Sequence, residues 1–373
     1  MIKVAIPITG IEEYRSIKKV IFDGNFVSGK NVDLFEKKFA KYIGTKYAVC
    51  FNSGTAALHA SLNALGLKKK DEVIVPALSF ISSATAILHQ GSTPIFCDVD
   101  INNFCMDTSS LEKQITRKTK AIIPVHFAGS SCDMFKIRKI AKKFNLKIIE
   151  DCSQAHGSKY FKKKLGSFGD ISCFSFYATK HMTTGEGGVL CTNNKSVYEH
   201  CKSFRTHGMI DRDTHSFLGF NYRMSELNAI IGLEQLKKLD KVNKKRVKNS
   251  LYILSRLKKY YKKNSWFQIQ EPIKNIYHTY FWCPIKILKN NISIDMVKQK
   301  LKKKGIEIRS RYKYPLYRQQ VFQNLKIKSP QNYKKLFLKN SEILSGKIFG
   351  LPNHSKLKKK DMDYIIKTVS NLF

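Results

Sequence analysis

The chain has 373 residues, 43% of them hydrophobic, which excludes a small module and is enough to bury a large core and a second, smaller domain. Lys and Arg number 67 against 28 Asp and Glu, and the resulting formal net charge of +39 would alone indicate a nucleic-acid or anionic-membrane partner. Because the excess is mostly lysine and is spread along the chain, we expect no nucleic-acid partner. A basic nucleic-acid-binding protein remains the alternative from another functional class.

The cysteines and the N-terminus indicate the compartment. The nine cysteines are odd in number and widely spaced, and no C-x-x-C pair occurs among them, so we expect reduced thiols. The first ten residues, MIKVAIPITG, contain too short an apolar run for a signal peptide, and no stretch approaches the ~20 apolar residues of a membrane span. We therefore expect a cytoplasmic protein without membrane insertion. The histidines stand at no metal-ligand spacing, so no metal site is predicted.

The first half of the chain alternates between two kinds of element. Helices are expected near residues 11–23 and 32–43, before the first strand. The predicted strands cover residues 47–51, 72–75, 93–98, 119–124 and 147–150, and the predicted helices between them cover 56–65, 81–90 and 134–144. Strands that alternate with helices at this spacing predict an α/β fold with a mostly parallel central sheet flanked by helices.

The second half predicts a smaller domain. Two β-runs at 171–177 and 188–192 are followed by a helix over 225–239 and a basic helical segment. Further on we predict strands at 279–285 and 307–309 and helices at 294–303 and 361–373. The chain is therefore divided into a large domain over residues 1–245, with its N-terminal helical segment, and a small C-terminal α+β domain over residues 246–373.

Lys180 lies between the two β-runs, within the sequence FSFYATKHMTTGEGG. A lysine held at the end of a strand among small residues can lose its proton on burial, and its free amine is then a nucleophile suited to Schiff-base chemistry. The alternative is an ordinary solvated lysine, since the chain contains many. The choice depends on the residues that follow the other strands.

Ligands of parallel sheets bind beyond the carboxyl ends of the strands. There Ser53, Gly54 and Thr55 open a helix, where they are either a phosphate site or an ordinary N-cap. Phe80 follows the next strand and either stacks on a flat ring or belongs to the core. Asp151 ends a buried strand, where a carboxylate is costly unless a cation pairs with it.

These parts fit pyridoxal phosphate, which requires a lysine, an acid facing the ring nitrogen, a phosphate cup and a ring-stacking group. No G-x-G-x-x-G or G-x-x-x-x-G-K-[ST] sequence follows a strand, which weighs against nicotinamide and nucleoside-triphosphate cofactors.

Four motifs, NSGTAAL, EDCSQAHG, FSFYATKHMTTGEGG and FNYRMSELNAIIG, resemble in order and spacing the sugar aminotransferases of the DegT/DnrJ/EryC1/StrS family. The resemblance covers nearly the whole chain and implies the aspartate-aminotransferase-like fold, known as fold type I, and a homodimer. It also implies amino transfer, because family members that dehydrate sugars or act as sensors carry histidine in place of the lysine.

The resemblance assigns roles residue by residue. It implies that Lys180 is the Schiff-base lysine, that Asp151 faces the ring nitrogen and that Gln154 lies near the ring hydroxyl. The remaining cofactor contacts that it implies are Gly54, Thr55 and Ser175 in the phosphate cup, Phe80 against the ring, and Asn221 reaching the phosphate from the neighbouring subunit.

The implied reaction moves an amino group from L-glutamate to a nucleotide-linked keto-deoxysugar, for surface polysaccharide such as the O-antigen of lipopolysaccharide. The loop from Gly305 to Leu316 resembles that of members acting at carbon 4 of 4-keto-6-deoxyhexoses, which make perosamine or viosamine. In this loop Arg309, Arg311 and Tyr314 are the candidate substrate contacts. The alternatives are a carbon-3 keto sugar or a keto-inositol as the acceptor.

Overall fold

The computed structural model describes residues 1–260, 265–325 and 329–373. Two helices, α1 (Ile11–Phe22) and α2 (Lys30–Ile43), precede the first strand. The elements of the large sheet region follow as β1 (Tyr47–Phe51), α3 (Gly54–Ala64), β2 (Glu72–Pro76), α4 (Ser82–His89), β3 (Thr93–Cys97), α5 (Thr108–Lys113), β4 (Thr119–Ile122), α6 (Met134–Lys143), β5 (Lys147–Asp151), β6 (Lys159–Tyr160), β7 (Lys163–Lys164), β8 (Ile171–Ser175), β9 (Gly188–Thr192) and α7 (Lys195–Phe204). The remaining elements are α8 (Glu226–Lys258), β10 (Phe267–Ile269), β11 (Ile276–Tyr277), β12 (Cys283–Ile287), α9 (Ile294–Lys303), β13 (Arg309–Ser310), α10 (Gln320–Gln323), α11 (Lys339–Leu344), β14 (Ile348–Leu351) and α12 (Lys359–Ser370).

The central sheet has seven strands in the order β1-β9-β8-β5-β4-β2-β3. The pairs β2·β3, β2·β4, β4·β5 and β5·β8 are parallel, whereas β9 runs antiparallel to both β1 and β8. The predicted α/β class with a mostly parallel sheet is therefore confirmed.

Both faces of this sheet are covered by helices, which explains why most residues of its strands are apolar. In β2, Ile74 belongs to one core cluster, whereas Val73 and Val75 belong to the other. The first cluster also contains side chains of α2, α6 and α8, and the second contains side chains of α3, α4 and α7. Successive residues of a strand point to opposite faces, so a strand buried on both sides has no polar alternation.

The small sheet has four antiparallel strands in the order β10-β12-β14-β13. Strand β12 begins at Cys283, four residues after the start of the predicted strand, because Tyr280 has a left-handed backbone with a φ of +49° that interrupts an extended run. A third core cluster, including Ile285, Val297 and Phe349, lies between this sheet and its helices.

Helix α8 connects the region of the seven-stranded sheet to the region of the four-stranded sheet. Its 33 residues unite the helix predicted over 225–239 with the basic segment after it, and Ser225 caps its N-terminus by accepting a hydrogen bond from the backbone N–H of Asn228 at 3.2 Å. The boundary at residue 245 falls inside this helix, and the division into two domains stays a prediction. In the part of the chain that the structure describes, no helix has both the length and the apolar character needed to cross a bilayer.

Candidate functional site

The carboxyl ends of the parallel strands surround a cavity of ≈430 Å³. This volume is in the range of small-molecule binding pockets. The sequence-predicted residues that line it are Gly54, Thr55, Phe80, Asp151, Gln154, Ser175, Lys180, Arg309 and Arg311. The fold thus brings nine of the predicted residues together from both halves of the chain.

Lys180 lies five residues beyond the end of β8. Its backbone N–H donates to the carbonyl of Tyr177 at 2.9 Å, and its Nζ lies 4.8 Å from the centre of the Phe281 ring. No carboxylate forms an ion pair with this amine among the described residues. Burial lowers the pKa of Lys180 to about 8, against the opposing effect of Asp151 and with a further contribution from the nearby arginines. Near neutral pH, a far larger fraction of Lys180 is therefore the neutral, nucleophilic amine than of an ordinary lysine.

Asp151 is the last residue of β5, and its carboxylate is buried. Oδ2 accepts a hydrogen bond from Ser83 Oγ at 2.7 Å, and Oδ1 accepts one from the backbone N–H of Ser153 at 3.0 Å. Ser83 Oγ is in turn 3.0 Å from Ser79 Oγ. Within the described residues no cationic side chain pairs with this carboxylate, so a cationic group of a ligand in the cavity would satisfy it.

The N-terminus of α3 forms one end of the cavity. Ser53 Oγ accepts a hydrogen bond from the backbone N–H of Ala56 at 3.1 Å, so the ordinary cap that we considered is present. The N–H groups of Gly54 and Thr55 precede the first intrahelical hydrogen bonds and remain available to an anion. A Cβ at residue 54 would lie 2.9 Å from the Cβ of Ser175, so glycine is required where this helix meets β8. The N-terminus of α3 therefore has both an ordinary N-cap and N–H groups that can bind an anion.

Gln154 is held by three hydrogen bonds. Its Oε1 accepts from the backbone N–H of Ala128 at 3.0 Å and from Trp282 Nε1 at 3.4 Å, while its Nε2 donates to the hydroxyl of Tyr312 at 3.2 Å. Trp282 and Tyr312 line the cavity and were not predicted. Tyr312 belongs to the segment RSRYKYPLYRQQ, and the mixture of cationic and aromatic residues in this segment is the sequence signal that could have indicated it as a site residue.

Two aromatic side chains of the cavity differ in exposure. Phe80 lies after β2, lines the cavity and is 54% exposed. Phe281 is buried, and the guanidinium carbon of Arg309 lies 4.5 Å from its ring centre. The exposed ring is therefore the one that a planar ligand can cover.

Two predicted residues lie outside this cavity. Tyr314 is on the surface, because the left-handed backbone of Tyr312, with a φ of +61°, turns the chain after β13 and directs the earlier tyrosine inward. Asn221 is exposed and forms an isolated bridge with Thr206. Their predicted contacts stay predictions.

His126, Glu150 and Cys152 form a buried polar cluster elsewhere in the large domain. Glu150 accepts a hydrogen bond from His126 Nε2 at 3.1 Å and three more, at 2.7 to 2.9 Å, from backbone N–H groups between Gly166 and Gly169. These hydrogen bonds to the carboxylate stabilise the loop before β8. The prediction of no metal site stays a prediction.

Comparisons with known proteins place the chain in a family. The model of the DegT/DnrJ/EryC1/StrS aminotransferase family matches residues 7–370. The GDP-perosamine synthase of Escherichia coli O157:H7 is 37% identical over 358 residues, 94% of this chain and 93% of that protein. The dTDP-3-amino-3,6-dideoxy-alpha-D-galactopyranose transaminase of Aneurinibacillus thermoaerophilus is 40% identical over 248 residues, 66% of this chain and 68% of that protein.

A solved structure relates the fold to the cofactor. The PMP form of the putative sugar aminotransferase Spr1654 from Streptococcus pneumoniae is 27% identical to this chain, with a TM-score of 0.88 over 100% of this chain and 97% of that one. The residues here fit pyridoxal phosphate, because within the described parts of the chain one cavity combines a lysine without an ion pair, a buried carboxylate without a cationic partner, and free N–H groups at the start of α3. The chain therefore belongs to the DegT/DnrJ/EryC1/StrS aminotransferase family, and it is a pyridoxal-phosphate-dependent sugar aminotransferase.

Proposed function

We propose that this enzyme transfers an amino group from L-glutamate to carbon 4 of a nucleotide-linked 4-keto-6-deoxyhexose, in the cytoplasm, for the synthesis of a surface polysaccharide such as the O-antigen of lipopolysaccharide. The observation that carries the proposal is the cavity in which Lys180 and Asp151 lie beside Arg309 and Arg311. A reactive amine next to two guanidinium groups suits a substrate that joins a keto sugar to a diphosphate. The nine cysteines, all free and buried, agree with a reducing compartment.

The proposed roles divide the site into a cofactor part and a substrate part. Pyridoxal phosphate supplies an electron-withdrawing ring and a group that carries nitrogen between the two substrates. Lys180 and Asp151 would hold it at opposite ends of the ring system, and Gln154 would lie near its hydroxyl. The phosphate would lie against Gly54, Thr55 and Ser175, and Phe80 would cover the ring.

Lys180 is also the proton carrier of the proposed reaction. As a neutral amine, its Nζ takes a proton from the α-carbon of glutamate in the first half-reaction. In the second half-reaction it delivers a proton to the sugar carbon that receives nitrogen. The sum of the two half-reactions is balanced, because glutamate and the keto sugar become 2-oxoglutarate and the amino sugar.

Carbon 4 is favoured by two observations. The loop of Gly305, Ile306 and Arg309 followed by Tyr314-Pro315-Leu316 resembles that of carbon-4 enzymes. The GDP-perosamine synthase of E. coli also matches 94% of the chain, whereas the relative named for a 3-amino sugar matches 66%. A carbon-3 acceptor is the second candidate, since that shorter match has the higher identity.

A homodimer completes the proposed site. Phe22 near the end of α1 is 79% exposed, and Leu218, three residues before Asn221, is 82% exposed. Phe26 and Val27 are also exposed. Large apolar side chains that are exposed in one subunit are candidates for burial in an interface between subunits. In the dimer, Asn221 of each subunit would reach the cofactor phosphate of the other.

The test is a panel assay on the purified holoenzyme. GDP-, dTDP- and UDP-linked keto sugars and a free keto-inositol are each incubated with L-glutamate, and 2-oxoglutarate is measured. We expect product from a nucleotide-linked 4-keto-6-deoxyhexose. Lys180→Ala should show no multiple turnover, while Lys367→Ala, at an exposed position of α12, should retain full activity. Consumption of the keto-inositol alone would refute the substrate class.

A further inference from the structure

The ring of Phe281 forms the wall of the cavity beside the reactive amine. It is buried, and the Nζ of Lys180 lies 4.8 Å from its centre. The guanidinium carbon of Arg309 lies 4.5 Å from the same centre, and the imidazole ring of His181 lies 5.6 Å from it. Two cationic groups of the site therefore lie against one aromatic side chain. The position of this ring decides how far water can reach the amine.

The backbone that carries this ring has an uncommon conformation. Phe281 lies two residues before β12 begins, and it follows Tyr280, whose left-handed backbone has a φ of +49°. A non-glycine residue keeps such a backbone where neighbouring groups fix it. The N–H of Phe281 donates to the carbonyl of Ala128 at 2.8 Å, which fixes one side of the turn. The direction of the ring then depends on what holds the carbonyls on the other side.

Arg246, in the middle of α8, holds these two carbonyls. Its Nη2 donates to the carbonyl of Phe281 at 2.6 Å and to that of Tyr280 at 3.1 Å. The carbonyl of Tyr280 also accepts a hydrogen bond from Asn353 Nδ2 at 2.6 Å. Because the guanidinium is planar and its N–H groups have fixed directions, this pair of hydrogen bonds orients both peptide groups of the turn.

Arg246 is a buried cation without an acidic partner. Its side chain is 3% exposed, and within residues 1–260, 265–325 and 329–373 no carboxylate forms an ion pair with it. Burial lowers the pKa of Arg246 to about 10, so the group is charged at neutral pH. A buried charge is costly unless it is paired, as Arg205 is with Glu36. A buried cation that instead binds two carbonyls of a turn beside Lys180 points to a role at that site.

We propose that Arg246 is a positioning residue of the reaction, which holds the carbonyls of Tyr280 and Phe281 and thereby keeps the Phe281 ring against the amine of Lys180. Arg246 is not among the residues that line the cavity, so its effect on the amine passes through Phe281. The inference concerns the pyridoxal-phosphate chemistry of the enzyme, and it does not depend on which sugar receives the nitrogen.

The test is the pH dependence of the rate at which the apoenzyme takes up pyridoxal phosphate, measured by stopped-flow absorbance in the wild type and in Arg246→Met. Methionine keeps a long side chain but cannot donate to the two carbonyls. The Phe281 ring is then free to move, and water reaches Lys180. The midpoint, near pH 8 in the wild type, should therefore rise by about one pH unit or more, toward the ~10.4 of an ordinary lysine.

Asn249→Leu is the matched control. Asn249 lies about one turn further along α8, is also buried, and donates to the carbonyl of His354 at 3.1 Å. The control should leave the midpoint unchanged. Arg246→Lys keeps the charge but its amine ends one bond short of the carbonyls, so it should shift the midpoint less than Arg246→Met does. Unfolding temperatures show that each variant is folded, and Arg246→Lys replaces Arg246→Met in the comparison if the latter does not fold.

A double variant separates an effect through Phe281 from a direct effect of the Arg246 charge. The charged groups that face Lys180 are those of Asp151, Arg309 and Arg311, and all three stay in place in every variant. In the Phe281→Leu background, Arg246→Met should shift the midpoint no further, because the ring through which it acts is already absent.

Three results would overturn the inference. The first is an unchanged midpoint in folded Arg246→Met. The second is a shift of equal size in the presence and in the absence of the Phe281 ring, because the charge of Arg246 would then act on Lys180 directly. The third is an equal shift in Asn249→Leu, because any loosening of α8 would then have the same effect.

Discussion

The lowered pKa of Lys180 has a kinetic consequence. Burial brings the pKa to about 8, so the amine becomes neutral at lower pH than an ordinary lysine, whose pKa is about 10.4. Only the neutral amine attacks an aldehyde, so the rate at which apoenzyme takes up pyridoxal phosphate should rise with pH through a midpoint near pH 8 and level off at higher pH. Stopped-flow absorbance measures this rate. A pH midpoint of this rate near the pKa of an ordinary lysine would contradict the account.

Substitutions of Asp151 and of Ser83 should lower kcat/KM by different factors, although the two side chains are hydrogen-bonded to each other. Asp151→Asn removes the charge that would keep the cofactor ring nitrogen protonated, so kcat/KM should fall about 10²-fold or more. Ser83→Ala removes the 2.7 Å hydrogen bond to the carboxylate but leaves its charge in place, so the fall should be about tenfold. Steady-state kinetics at saturating cofactor compare the two, with unfolding temperature as the control. A fall below threefold for Asp151→Asn would make that residue merely structural.

A site residue could be predicted from the sequence where it lies in a recognisable motif directly at or after the end of a predicted strand. Lys180 and Asp151 meet that condition, and both line the cavity. Ser83 does not, because it lies 68 residues from its carboxylate partner and only the fold joins them. Tyr312 was passed over for Tyr314, because the left-handed backbone at 312 that decides which tyrosine turns inward has no signature in a non-glycine residue.

At the scale of elements, Glu226 in the first turn of α8 fastens α2. Its buried carboxylate accepts from the backbone N–H groups of Gly29 at 2.9 Å, Asn31 at 3.0 Å and Val32 at 3.0 Å, and from the side-chain amide of Asn31 at 2.7 Å. Glu226→Gln keeps the shape but replaces one acceptor oxygen by a donor and removes charge from a helix N-terminus. The free energy of unfolding should fall by about 2 kcal/mol.

Glu199→Gln is the control for this prediction. Glu199 lies on α7, where its exposed carboxylate is 3.6 Å from Lys195 Nζ. Loss of such a surface pair should change stability by less than about 0.5 kcal/mol in the same denaturant titration. Equal effects of the two substitutions would show that Glu226 contributes no more than a surface charge.

Element predictions succeeded where the local pattern was strong. The bounds of β1, β9 and α9 match the prediction, because each is a compact run with clear breaks on both sides. The apolar stripe of α8, which includes Leu239 and Leu257, predicted that the basic segment is helical, but nothing in the local pattern showed that it continues the helix predicted over 225–239. Strand β14 was missed because its four residues are placed by pairing with β12 and β13, which no local pattern reveals.

At the scale of the whole molecule, the proposed dimer makes each site depend on two subunits. Lys180→Ala and Asn221→Ala homodimers should each be nearly inactive, whereas a heterodimer contains one site with both residues intact. After unfolding and refolding of an equimolar mixture, half of the dimers are mixed, so activity should recover to about a quarter of the wild-type value. Differently tagged subunits allow the heterodimer to be isolated.

A mixture of Lys180→Ala with itself under two tags is the control and should stay inactive. An isolated heterodimer with no more activity than either parent would mean that Asn221 acts within its own subunit or not at all.

The most direct test of the central claim is the position of the new nitrogen. Holoenzyme is incubated with a nucleotide-linked 4-keto-6-deoxyhexose and ¹⁵N-labelled L-glutamate, and the product is examined by nuclear magnetic resonance. The account predicts ¹⁵N coupled to carbon 4 of the sugar, together with 2-oxoglutarate in equal amount, and no product with Lys180→Ala. Nitrogen on carbon 3, or consumption of a 3-keto isomer while every 4-keto sugar is left untouched, would contradict it.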